Sequence, residues 1–165
     1  IHGALLEANR NDPLTGLRNS TFFLGAVADA VRAGGRFALV FFDMDRFKPL
    51  VDTYGHVRGS EALAETGRLM AAQLRPGEIG CRFGGDEFAF LLDGMDGAAA
   101  GRRAAEFAAC IRGHVFLADA GMNARLDASF GWAAFPDDGD DARQLLHRAD
   151  ERMYAAKRAR RAARR

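Results

Sequence analysis

Apolar positions along the chain change period several times, and each change marks an element boundary. Phe22, Phe23, Ala26, Val27, Ala30 and Val31 recur at helical spacing, which predicts a helix capped by Ser20 or Thr21 and closed at Gly34 and Gly35. The run from Phe37 to Phe42 is unbroken and ends on Asp43; it reads as a buried strand. Helical spacing returns from about Arg58 to Leu74, with Leu63, Gly67, Met70 and Leu74 on one face, and Pro76 and Gly77 stop it. A hairpin is predicted next, pairing Ile79–Phe83 with Phe88–Leu92 around the loop Gly84, Gly85, Asp86, Glu87. An Ala-rich helix from Gly97 to Arg112, a strand from Arg125 to Ala134 and a helix from Asp141 to Arg160 complete the pattern. This order predicts an α/β domain of the α+β type, in two layers. One mostly antiparallel sheet is covered on one face by helices, close to the ferredoxin-like arrangement.

Composition narrows this reading little. A chain of 165 residues, 48% hydrophobic and 27% charged, suits one domain with its own core. Its longest apolar run falls far short of the roughly 20 residues that cross a bilayer, so no membrane contact by this domain is expected. No charged leader opens the chain, and Cys81 and Cys110 lack metal-ligand spacing; a reduced, cytoplasmic setting is the expectation. The net charge of +1 conceals a basic end, Lys157 to Arg165. Cations there oppose the negative end of a helix dipole. No aromatics interleave with them for stacking, so a nucleic-acid partner is not expected.

The chemistry lies where apolar strands end in acids. Asp43 and Asp45 follow the first strand, and Asp86 and Glu87 sit at the hairpin tip. If the hairpin pairs beside that strand, Asp43, Asp86 and Glu87 form a set of hard oxygen donors. Such a set suits Mg²⁺, with Mn²⁺ as an alternative, better than zinc. Asp45 alone reads as a solvated turn acid. Lys48, beside Phe47, can neutralise a phosphate, His56 follows at the start of a helix, and Lys157 and Arg161 share one face of the last helix.

Taken together, Asp12-Pro13-Leu14-Thr15-Gly16-Leu17, Asp43-Met44-Asp45-Arg46-Phe47-Lys48, Tyr54-Gly55-His56, Arg82-Phe83-Gly84-Gly85-Asp86-Glu87-Phe88, Ala149-Asp150 and Tyr154-Ala155-Ala156-Lys157 resemble the GGDEF, or diguanylate cyclase, family. The resemblance implies a palm-like fold similar to that of class III nucleotidyl cyclases. It implies an enzyme that condenses two GTP into cyclic di-GMP with release of pyrophosphate, working as a homodimer under an upstream sensory or dimerisation domain. Residues 1–10 would end an upstream signalling helix and residues 11–165 would form the cyclase domain. Carried over by position, Asp43, the Met44 carbonyl, Asp86 and Glu87 would hold metal, with Asp86 and Glu87 catalytic. Phe47, Lys48, Val51, His56, Ser60, Gly84, Gly85, Lys157 and Arg161 would bind the nucleotide.

The chain departs from the family pattern at telling places. GTP-using members typically carry Asn at the position of Val51 and Asp at that of Ser60; here neither is present. Loss of base-edge partners implies relaxed base selection that admits ATP and cyclic GMP–AMP. It also leaves open a weak or inactive regulatory module that binds nucleotide. The family's Arg-x-x-Asp inhibitory motif corresponds to Arg75 and Glu78, where the cyclic dinucleotide product would bind. Asn19-Ser20-Thr21 replaces an Asn-Arg-Arg often found in relatives.

Overall fold

The computed structural model describes residues 9–164. The proposed upstream helix, residues 1–10, therefore lies almost wholly outside the described residues. Helix α1 (Ser20–Ala33) is capped by the side chain of Asn19, one residue before the predicted caps, which accepts from the Phe22 amide. It ends at Gly34 in the left-handed conformation. Strand β1 (Phe37–Asp45) follows, buried along its whole length and three residues longer than its apolar run.

Two helices then replace the single one predicted. Helix α2 (Phe47–Tyr54) and helix α3 (His56–Gln73) meet at Gly55, whose φ of 90° breaks the helical path. Pro49 conceals α2 in the sequence, yet it falls in the first turn, where a missing amide costs no helical hydrogen bond. Strands β2 (Ile79–Gly84) and β3 (Glu87–Asp93) form the hairpin. Its turn is tighter than predicted, because Gly84 already pairs with Glu87 and a register shift lies between Arg82 and Gly84. Helix α4 (Gly97–Gly113), strand β4 (Asp127–Phe135) and helix α5 (Ala142–Ala163) close the chain, with Asp96 and Asp141 capping the two helices.

The sheet order is β2-β3-β1-β4, every pair antiparallel. This is the ferredoxin-like order, with β1 at the centre. Side chains alternate across β1 and feed two separate cores. Val40, Phe42 and Met44 join Leu63 and Met70 of α3 and Phe107 and Ile111 of α4. Phe37, Leu39 and Phe41 join Phe23 and Val27 of α1 and Leu145 and Met153 of α5. Helices thus cover both faces, where one covered face is predicted; α1 and α5 add a layer to the ferredoxin-like unit. A continuous apolar strand needs cover on both sides.

Two glycines set how closely the helices approach. A Cβ on Gly131 of β4 would overlap the backbone of Ala149 and Met153, so α5 lies directly on the strand. A Cβ on Gly67 of α3 would meet the Thr15 carbonyl oxygen at 2.6 Å. The turn holding Thr15 is itself built on Asp12, whose Oδ2 accepts from the Thr15 amide and hydroxyl.

Candidate active site

Pairing in the sheet brings the predicted acids together. Asp43 stands opposite Glu87 on one side and Ser129 on the other. The Met44 amide donates to the Asp86 carbonyl at 3.2 Å, tying the hairpin turn to the end of β1. Because α5 is seated on Gly131, Lys157 reaches back to the same strand, and its Nζ donates to Asp43 Oδ2 at 2.7 Å. Asp43 is 7% exposed, and its other oxygen, Oδ1, is buried with no hydrogen-bond partner.

The electrostatics of this cluster are those of too many carboxylates for one ammonium. Burial raises the pKa of Asp86, the negative charge of Asp43 raises it further, and Lys157 only partly offsets them. Glu87 is raised by burial first and then by Asp43, Asp150 and Asp86. Carboxylates crowded in this way favour an added cation. Among the described residues no three His, Cys, Asp or Glu side chains converge on one ready-made metal position. That geometry fits Mg²⁺, which takes one or two carboxylates and completes its shell with water and substrate phosphates. The orphaned Asp43 oxygen is the available first donor.

Beside the acids lies a cleft of about 390 Å³ lined by Phe47, Lys48, Val51, His56, Ser60 and Asp86, among others. With Gly85, seven predicted binding or catalytic residues from three segments thus share one wall. Gly59, Leu63 and Arg82 also line it; the sequence puts Leu63 on an apolar helix face and Arg82 in the hairpin motif, and gives none of the three a binding role. Gly59 is required sterically, since a Cβ there would stand 2.8 Å from Val51 Cγ2. Arg82 braces the turn: its Nε donates to the Gly85 carbonyl at 2.9 Å and its guanidinium meets Asp12 Oδ1 at 3.2 Å.

Other predicted residues stand apart from the cleft. Gly84 is in the hairpin ladder, the Met44 side chain is in the core, and Arg161 is exposed on α5 without a hydrogen-bond or ion-pair partner among the described residues. Asp45 is structural rather than a solvated turn acid: both its oxygens accept from the Ser129 hydroxyl, at 3.0 and 2.9 Å. Arg75 and Glu78 do not face each other as two side chains. Glu78 accepts from the Arg75 backbone amide at 2.8 Å. Its two oxygens bind the guanidinium of Arg103 at 2.6 and 2.9 Å, with both side chains nearly inaccessible.

Comparisons with known proteins identify the family. The family "Diguanylate cyclase, GGDEF domain" matches residues 9–163. The diguanylate cyclase TpbB of Pseudomonas aeruginosa is 36% identical over 169 residues, covering 99% of this chain. The chain spans 39% of TpbB's length. The crystal structure of the GGDEF domain of the same species' TpbB superposes with a TM-score of 0.82 at 35% identity, covering 88% of this chain and 92% of that one. Diguanylate cyclase SiaD of Pseudomonas aeruginosa, solved with its activator SiaC, gives 0.86 at 31% identity, covering 96% of this chain and 62% of SiaD. No described helix is long and apolar enough to cross a membrane. With its sequence matched from end to end and its acids gathered at the end of β1 and the β2–β3 turn, the chain belongs to the GGDEF family of diguanylate cyclase domains.

Proposed function

We propose that this domain condenses two nucleoside triphosphates, GTP foremost, into a cyclic dinucleotide, and that its choice of base is relaxed. The observation that carries the reading is the unsatisfied, buried Asp43 oxygen beside a cleft lined by Lys48 and Asp86. In the reaction the ribose 3′-hydroxyl of one nucleotide attacks the α-phosphorus of the other. The bond to the bridging oxygen breaks and pyrophosphate leaves; the reciprocal attack closes the ring. Each domain holds one nucleotide, so two copies must face each other, brought together by an upstream region.

Asp43, Asp86, Glu87 and the Met44 carbonyl are the residues that would hold Mg²⁺. When bound, the ion supplies charge stabilisation at the phosphoryl oxygens and acidifies the hydroxyl. The raised pKa of Asp86 suits it to accept the hydroxyl proton. Lys48 in the first turn of α2, with Lys157 and Arg161 on α5, would bind phosphates. Lys157, held by Asp43 until substrate arrives, is placed to exchange carboxylate for phosphate.

Relaxed base choice rests on the wall of the cleft. Phe47, Val51 and Leu63 are apolar there, leaving the Ser60 hydroxyl and the His56 ring for a base edge. Such a wall stacks any purine and imposes few hydrogen-bond requirements. The test is incubation of the domain, dimerised by a fused coiled coil, with Mg²⁺ and GTP, ATP or an equal mixture, reading products by mass spectrometry. The mixture should yield cyclic GMP–AMP beside cyclic di-GMP. Cyclic di-GMP alone contradicts relaxed selection, and nucleotide binding without any product contradicts the cyclase reading in favour of a regulatory module.

A further inference from the structure

A second cavity, of about 440 Å³, lies beyond the candidate active site, where β1 ends, β4 begins and α5 finishes. Five arginines line it: Arg46, Arg112, Arg125, Arg160 and Arg164, around a single acid, Asp127. Asp127 is fully used. Its oxygens accept from the Ala128 amide at 2.8 Å, from Arg160 at 2.6 Å and from Arg112 at 3.3 Å. Burial pushes its pKa up, but these donors outweigh burial and hold the carboxyl below its ordinary range. Asp45 is the other nearby acid, 3.7 Å from Arg160 and 4.0 Å from Arg164, and its oxygens are taken by Ser129. Five guanidinium groups facing two carboxylates leave a local excess of three positive charges.

Helix ends account for part of this arrangement. Arg112 closes α4, and Arg160 and Arg164 close α5, where cations oppose the helix dipole. Arg125 makes only long contacts, 3.4 Å, to the Gly113 and His114 carbonyls at the end of α4. Arg46 has no such account. Its carbonyl accepts from the Leu50 amide at 3.3 Å, but its side chain is exposed with no hydrogen-bond or ion-pair partner among the described residues, and the residue holds φ at 68°, a left-handed conformation uncommon for a side chain with a Cβ. Strain of this kind collects at ligand sites.

We propose that this cavity binds an anion carrying two or more linked phosphate groups, apart from the nucleotide cleft. Guanidinium forks pair with phosphate oxygens two bonds at a time, and the cavity has the size of a small-ligand site. Such an anion would sit about one helical turn past Lys157 on α5 and against the β1–α2 turn that carries Lys48. Inorganic pyrophosphate and the phosphate tail of a nucleoside triphosphate share this chemistry.

Isothermal titration without divalent metal tests the site, because the acid cluster of the other cleft is then unneutralised and repels the same probes. Pyrophosphate, tripolyphosphate and GTP are titrated at fixed ionic strength into the wild-type chain, the double variant Arg46→Gln/Arg125→Gln and Lys48→Gln. Pyrophosphate should bind the wild type and Lys48→Gln alike, and the double variant at least about tenfold more weakly. Circular dichroism checks that the double variant folds. GTP binding that matches tripolyphosphate assigns the site to a nucleotide tail, whereas weaker GTP binding assigns it to the free anion. Equal pyrophosphate binding by the double variant and the wild type, or displacement of pyrophosphate by sulfate at equal concentration, would overturn the proposal.

Discussion

Lys157 and Asp43 are 114 positions apart in sequence, yet the lysine Nζ lies 2.7 Å from the carboxylate. The contact exists because Gly131 lets α5 rest on β4 without a side chain between them. One ammonium thereby offsets part of the negative charge gathered in the acid cluster. Lys157→Met should cost about 1–2 kcal/mol without metal, less than the roughly 3–5 kcal/mol of a fully buried broken pair, because the lysine is partly exposed. Mg²⁺ should then restore more stability to the variant than it adds to the wild type. Urea denaturation of both proteins, with and without Mg²⁺, measures the difference; equal metal effects would show that the ammonium does not offset that charge.

The raised pKa values of Asp86 and Glu87 give a pH dependence of definite sign. A carboxyl that holds its proton more tightly when folded stabilises the fold below its unfolded pKa, and that contribution is lost as pH rises through the folded value. Metal-free protein should therefore lose stability as pH rises above about pH 4 through the raised values of these two groups, and Asp86→Asn should flatten the loss. Asp127 and Asp138, held low, act oppositely, supporting the fold above the unfolded value and failing only as pH falls through their depressed ones. Thermal melting against pH for wild type and Asp86→Asn separates the two windows. Identical slopes in the upper window would show that carboxylate crowding at Asp86 does not set the loss.

Restoring hydrogen-bonding side chains at two cleft positions should restore selectivity. Val51→Asn with Ser60→Asp returns base-edge partners worth about 1–3 kcal/mol each, or roughly tenfold to a hundredfold in preference. Competition between GTP and ATP, scored by product ratio, should shift toward cyclic di-GMP. An unchanged ratio would mean that the base is read elsewhere.

Glu78 offers its carboxylate to Arg103 rather than to solvent. A product that needs that carboxylate must first break a pair whose side chains are 4% and 6% exposed. Initial rates should therefore be unchanged by added cyclic dinucleotide. Inhibition that disappears in Arg75→Ala would show that the pair opens.

What could be read from the sequence divides along physical lines. The β2–β3 turn and the acid at the end of β1 were legible because Gly84 and Gly85 and the apolar run are local signals. Helix α2 was not, since its eight residues include Pro49 and sit against Gly55. The role of Asp45 depends on Ser129, 84 positions away, and local spacing carries no trace of it. Arg103 was hidden in an Ala-rich helix, although an arginine on the apolar face of α4 implies a buried acid partner. The second covered face was announced by the unbroken apolar strand itself.

If Asp43 and Asp86 carry a metal-dependent condensation, removing either charge should abolish it. Cyclic dinucleotide formation by dimerised wild type, Asp43→Asn and Asp86→Asn is followed by mass spectrometry at saturating Mg²⁺, with circular dichroism confirming that each variant is folded. Product from the wild type and loss of at least about a hundredfold in both folded variants is the predicted result. Product formed by both variants at the wild-type rate would show that neither carboxylate serves the reaction.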